Sequence, residues 1–351
     1  CAVLAAPDGR YCVSTDVLVE GRHFRTDWSS GFDVGARAAA QNLADVAAMG
    51  AQPVALVACL VLPGATPVDW VVDLARGMAL RCREAGAAIV GGDLSAGEGL
   101  VVAVTVHGDL EGRAPVLRSG ARPGQALVLA GTPGRAAAGL ALLEAGWGRR
   151  DDDESGLAGA AAVPETAAVA ETAAVAETDA ALALAEDCAA VFRAPRPPLK
   201  AGPALAGIGA SAMMDVSDSL VRDCGRIALA SGVVIDIDDP DDDCAALAAD
   251  RAELEGVAAL VPGARSAAGG TSAARGTGGI RTDPRETARN WVLTGGEDHG
   301  MLATVPADAA RSLPEGARVI GRVRRAGEAG SGVLVGTRPW SGARGWDHFR
   351  T

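Results

Sequence analysis

Five short acidic motifs carry the chemistry open to this 351-residue chain. Ser14-Thr15-Asp16 is followed by Glu20, Arg22 and His23. Asp45 lies inside Asn42–Gly50, and Gly91-Gly92-Asp93 follows the apolar run Ala87–Val90. Asp215-Val216-Ser217-Asp218 and Thr294-Gly295-Gly296-Glu297-Asp298 complete the set. Taken singly, each is better read as structure, because Asp and Ser cap helices and Gly pairs form turns. Asp45 is the exception. It falls mid-helix beside Leu43, Val46 and Met49, where a carboxylate lowers helix propensity and needs a partner if buried. Asp93 is similar, being expected at the carboxyl end of a buried strand, a usual place for chemistry in α/β proteins. Carboxylates converging on one point repel unless a cation joins them. Magnesium prefers hard oxygen ligands and bridges carboxylates to phosphates. The set reads as a site for several metal ions.

Other chemistries find no support. The chain has one lysine, Lys200, and no Gly-Lys-Ser/Thr triplet, so a Walker A phosphate loop is excluded. The four histidines (His23, His107, His299, His348) form no His-x-x-x-His pair, and no Cys-x-x-Cys, Gly-x-Ser-x-Gly or Gly-x-Gly-x-x-Gly occurs. Gly131-Thr132-Pro133-Gly134 could hold phosphate at a helix start, but a plain strand-to-helix turn is the better reading. A net charge of −12 argues against a nucleic-acid partner. Val54–Leu62, the longest apolar run, is too short to cross a bilayer. Seven scattered cysteines fit a reducing cytoplasm, and no leader is evident at the start.

The elements that must position these residues alternate along the chain. Asp33–Met49 is amphipathic and closed by Gly50. A second helix, capped by Thr66 with Pro67 at its first position, carries Val71, Leu74, Met78, Cys82 and Ala85 to Gly86. Val54–Leu62, Ala87–Val90, Leu100–Val106, Ala126–Ala130 and Val233–Ile237 read as strands. A helix begins at Ser217 or Asp218, with Leu220, Cys224 and Ile227 on one face. The repeat Glu-Thr-Ala-Ala-Val-Ala over Val163–Thr178 matches neither helix nor strand period, and is expected outside the core within an insertion near 150–190. Pro262–Thr282, rich in Gly, Ser and Ala, is expected to be a surface loop.

In this order the motifs resemble thiamine-monophosphate kinase. Ser14–Phe24, Asn42–Gly50, Gly91-Gly92-Asp93, Leu117–Gly124, Asp215–Asp218, Leu293–Asp298 and Gly345-Trp346-Asp347-His348-Phe349 carry the resemblance, which covers nearly the whole chain except the two insertions. It implies an α+β, two-domain synthetase-like fold shared with aminoimidazole ribonucleotide synthetase and selenophosphate synthetase. An amino-terminal α/β domain (1–116) would form a barrel shared across a homodimer, followed by a carboxyl-terminal α+β domain (117–351). By the resemblance, Ser14, Thr15, Asp16, Asp45, Asp93, Asp215 and Asp218 would hold several magnesium ions. Gly92, Asp93, Arg118 and Ser217 would contact ATP, and His23, Glu297 and Trp346 would contact thiamine monophosphate. A carboxylate and an aromatic face suit a flat, cationic ring. The family carries Gly-Asp-Asp immediately before the position of Cys1, and weak ATP binding is expected of a chain without it.

The expected reaction needs no general base, since a phosphate acceptor is already anionic near neutral pH. Magnesium would screen and align the two polyanions for direct in-line transfer. Two alternatives stand beside this reading: another synthetase of the same superfamily, of the selenophosphate or purine-pathway type, and a non-catalytic binder of thiamine phosphates.

Overall fold

The computed structural model describes residues 6, 9–148, 172–261, 283–328, 330–343 and 345. Two sheets organise them. The first has four strands in the order β1-β4-β2-β3, built from β1 (Cys12–Val19), β2 (Gln52–Leu62), β3 (Ala88–Ala96) and β4 (Val101–Asp109). Two helices, α1 (Gly31–Ala48) and α2 (Val68–Ala85), lie on one of its faces. The second sheet has seven strands and spans β5 (Ala126–Ala130), β6 (Ala212–Asp215), β7 (Val233–Ile237), β8 (Met301–Val305), β9 (Ala317–Arg325), β10 (Gly332–Val335) and β11 (Arg338–Pro339).

Helix α1 joins the two halves. Ser30 and Asp33 form a reciprocal capping box at its start. Its alanines allow close approach on nearly every side. Leu43 and Val46 pack under the first sheet, while Ala44, Ala47 and Ala48 join Met213, Met301 and Val305 of the second. Burying each large side chain there contributes about 1.5–3 kcal/mol.

Several expected boundaries shift. Thr66 does not cap α2: Pro67 occupies the cap position without a side-chain hydrogen bond, and the helix ends at Gly86 in the left-handed conformation. Helix α6 (Leu220–Ser231) starts later than Ser217 or Asp218, because Ser219 accepts the Arg222 amide and so becomes the cap. Part of the insertion expected near 150–190 instead belongs to the core. Residues 172–193 form helix α4 (Thr172–Arg193), which buries Ala185, Cys188, Ala189 and Phe192. That helical spacing outweighs the six-residue period preceding it. Helix α4 packs on α3 (Arg135–Glu144) and α7 (Leu247–Leu260). The rest of the repeat before Thr172, the 262–282 loop and Trp346 lie outside the described residues.

The Gly91-Gly92-Asp93 motif is not a turn after a strand. It runs within β3, an exposed edge strand, contrary to the expected buried strand end. A bulge falls between Leu56 and Val57: Leu56 pairs with Ile89 and Val57 with Gly91, leaving Val90 as the extra residue. A Cβ on Gly92 would sit 2.1 Å from the Ala58 carbonyl oxygen, so this close crossing requires glycine.

Candidate active site

Asp16 on β1, Asp45 on α1 and Asp215 at the end of β6 lie near enough for their charges to interact, and Ser14 on β1 joins them. Ser14 donates to Asp45 at 2.6 Å, and Gln41 donates to Asp16 at 2.9 Å. The charge of Asp215, at the end of β6, bears on both Asp16 and Asp45. Burial, and then the neighbouring Asp215, push the Asp45 carboxyl up to about 7, against the Ser14 hydrogen bond. A helix-borne carboxylate disfavoured as an anion by its neighbours is the environment that a bound cation relieves.

A buried chain of partners extends from this cluster. His299 hydrogen-bonds Asp215 through Nδ1 at 3.0 Å and places Nε2 3.5 Å from Glu297. Burial alone would lower the His299 pKa. The two carboxylates flanking it outweigh that and raise it to about 10. Arg37, only 2% exposed, pairs with Glu297 at 2.7 Å, donates to the Phe192 carbonyl at 2.6 Å and lies 4.7 Å from the Phe192 ring centre. Burial opposes the Glu297 charge, but Arg37 and His299 prevail and hold its carboxyl well below the usual range. His23 also bears electrostatically on Glu297, and its Nδ1 accepts the Val19 amide at 3.0 Å.

The two loops bearing Asp215–Asp218 and Glu297 are joined backbone to backbone. Glu297 donates to the Ser217 carbonyl at 2.8 Å, His299 to Val216 at 2.9 Å, and Val216 to Gly300 at 2.9 Å. Glu297 and His299 both take positive φ (69° and 52°), a conformation uncommon for non-glycine residues that this pairing holds in place. A Cβ on Gly296 would lie 2.3 Å from the Ser217 oxygen, so the contact admits only glycine. Gly345 lies against the same turn: a Cβ there would sit 2.4 Å from Ser219 Oγ.

Not every expected residue joins the cluster. Ser14 and Asp16 point toward α1, whereas Thr15 points to the opposite face, where it bonds the Val104 carbonyl and receives the Thr105 hydroxyl. Asp93 is in register with Cys59, which pairs with Ala103 and so with Val17. It therefore lies on the Thr15 face, three strand spacings from β1, or roughly 14 Å. The β3 edge at Gly92 and Asp93 borders an open groove of about 480 Å³ on the α2 side, where Leu74 and Met78 lie. Arg118 is exposed, its carbonyl accepting the Ser231 hydroxyl. Buried Asp218 pairs with Arg226. Among the described residues, no group of three or more His, Cys, Asp or Glu side chains is preassembled to hold a metal ion.

Sequence reasoning missed Arg37, Gln41, Asp223, Arg226 and His299. Arg37, Gln41 and Asp45 recur every four residues, so they share one stripe of α1 amid alanines. That polar stripe was the available signal. The Gly131–Gly134 turn does start α3, and it is not a phosphate cradle: Asp298 accepts the Gly134 and Ala136 amides, each at 2.8 Å.

Residues 1–110 match the family model for AIR synthase related protein, N-terminal domain. The matched stretch carries the four-stranded sheet with α1 and α2. The hydrogenase maturation protein HypE shows the fold alone, with a TM-score of 0.58 at 18% identity over 93% of this chain and 84% of its own. The AaThiL complex with AMPPCP and TMP superposes with a TM-score of 0.70 at 26% identity, covering 97% of this chain and 87% of the other. A thiamine-monophosphate kinase of Mycobacterium tuberculosis is 40% identical over 348 residues, 99% of this chain and 84% of the relative. That of Escherichia coli K12 is 30% identical, covering 87% of this chain and 74% of the relative. The chain belongs to the thiamine-monophosphate kinase family.

Proposed function

We infer that this protein transfers the γ-phosphoryl group of ATP to the phosphate of thiamine monophosphate, giving thiamine diphosphate and ADP. The observation that carries the reading is the buried Asp215–His299–Glu297–Arg37 chain. It sets one carboxylate, Glu297, at the junction of both halves of the fold and beside the Asp16–Asp45–Asp215 cluster. Identity of 40% across nearly the full length supports it, as does the complex of a fold relative with AMPPCP and TMP.

The acceptor phosphate is itself the nucleophile, with a second pKa of about 6. No base is required, and His299, held protonated between two carboxylates, is not one. The donor set of Ser14, Asp16, Asp45 and Asp215 offers the hard oxygens that magnesium takes, with Asp218 a further ligand and Thr15 and Asp93, on the opposite sheet face, assigned to separate ions. When bound, the metal supplies screening and alignment of two polyanions. Glu297 and His23 orient the cationic heterocycle, and Trp346 gives it an aromatic face. Gly92, Asp93, Arg118 and Ser217 take the nucleotide. The division between the domains falls at residues 116 and 117.

A homodimer belongs to the same reading. The sheet face opposite α1 leaves Val13 (59%) and Val17 (42%) exposed on β1, an apolar face that a second copy would cover. No described helix is long and apolar enough to cross a membrane.

The test is incubation with ATP, magnesium and thiamine monophosphate, following thiamine diphosphate and ADP by chromatography. Equimolar products are expected, with free thiamine a poor acceptor because it lacks the anionic oxygen. Equal turnover of thiamine would overturn the mechanism. Absence of thiamine diphosphate would overturn the function.

A further inference from the structure

We propose that Asp223 is a positioning residue for phosphoryl transfer, a role that rests on the function inferred above. Its carboxylate fixes the turn bearing Ser217 and Asp218 so that side chains, not amides, face the nucleotide. Asp223 sits in the first turn of α6 and is fully buried. One of its oxygens, Oδ2, accepts the amides of Ser217, Asp218 and Ser219 at 3.1, 3.1 and 3.2 Å. The other accepts Arg226 at 2.5 Å, and Arg226 also reaches Asp218.

The consequence is chemical. Successive amides before a helix normally form a ready anion site. Here an internal carboxylate already fills it. Other backbone groups of the turn are engaged as well. The Val216 and Ser217 carbonyls accept His299 and Glu297, the Ser219 carbonyl accepts Asp223, and the Val216 amide reaches Gly300. A nucleotide arriving at this turn therefore meets the Ser217 hydroxyl and the Asp215 and Asp218 carboxylates rather than main-chain donors. The turn is set for cation-mediated contact with phosphate, and Asp223 is what removes the alternative. Arg226 ties the same carboxylate to Asp218, so any loss at Asp223 is transmitted to a second ligand of the site.

The experiment compares wild type, Asp223→Asn, Asp223→Glu and a distant control, Asp236→Asn. Asp236 is buried on β7, separated from β6 by the three strands β9, β5 and β8, and pairs with Arg324 at 2.6 Å. Losing its carboxylate should lower the melting temperature without altering the Asp215–Asp218 turn. Two readouts are taken: calorimetric binding of AMPPCP across a magnesium titration, and kcat with KM for thiamine monophosphate. For Asp223→Asn, the magnesium concentration giving half-maximal binding should rise at least tenfold and kcat should fall tenfold to a hundredfold. KM for thiamine monophosphate should stay within about threefold, and Asp223→Glu should recover part of both losses. Asp236→Asn should keep the wild-type magnesium requirement at a comparable loss of melting temperature. If Asp223→Asn matches Asp236→Asn in both readouts, the positioning role is overturned and Asp223 is only a helix-terminal anchor. Should Asp223→Asn fail to fold, Arg226→Met takes its place and must raise the magnesium requirement by at least threefold, an unchanged value again overturning the proposal. A wild-type protein that binds magnesium and AMPPCP yet makes no thiamine diphosphate would overturn the inferred reaction, while the binding comparison still decides the role of Asp223.

Discussion

Replacing Arg37 with methionine preserves side-chain bulk while deleting a charge that spans the two halves of the protein. Three contacts go together: the 2.7 Å pair with Glu297, the 2.6 Å bond to the Phe192 carbonyl, and the cation over the Phe192 ring. Breaking a buried ion pair from one side costs about 3–5 kcal/mol, because the other charge is stranded. The Glu297 side chain keeps 31% of its exposure and His299 remains 3.5 Å away, so the lower end, about 3 kcal/mol, applies. Urea unfolding should show the midpoint falling with an unchanged slope. A freed Glu297 no longer presents its carboxylate in one place, and KM for thiamine monophosphate should rise about tenfold, equivalent to about 1.4 kcal/mol. KM for ATP should move far less. The double variant Arg37→Met with Glu297→Gln should regain part of the stability, since no orphan charge remains. A stability loss below about 1 kcal/mol with an unchanged KM would show that Arg37 neither holds Glu297 nor bridges the halves.

Further outcomes follow from the same geometry. Burial and Asp215 raise the Asp45 pKa from 3.8 to about 7, so the folded state disfavours the ionised form at alkaline pH. In metal-free buffer at pH 8, Asp45→Asn should therefore raise the melting temperature, and the gain should shrink as pH falls through 7 toward 4. A gain independent of pH would contradict this. Asp93→Asn should abolish most turnover with no change in melting temperature, as Asp93 is exposed and its bond from Ser95 is long at 3.5 Å. Near-normal activity at saturating magnesium would remove it from the site. Asp298→Asn leaves one of the two α3 amides without its acceptor, a loss of about 1–3 kcal/mol measurable by urea unfolding; full stability would mean that water replaces the cap.

Local chemistry determined much of this protein in advance. The 3.6-residue spacing of α1 and α2, the left-handed glycine closing α2, the strands over 126–130 and 233–237, and the ordered acidic motifs are all legible without coordinates. These follow from near neighbours, because hydrogen bonding within a helix and alternation along a strand repeat over short distances. The arrangement of the site was decided elsewhere. Val90, a single extra residue opposite β2, sets the face on which Asp93 emerges, and a period of two cannot anticipate a bulge. Arg37 finds Glu297 across 260 positions, and His299 finds Asp215 across 84. Asp223 looks like one more acidic residue of a helix start until the folded turn directs three amides at it. A buried charge takes its partner from whatever the packed fold brings within 3 Å, and separation along the chain carries no record of that choice.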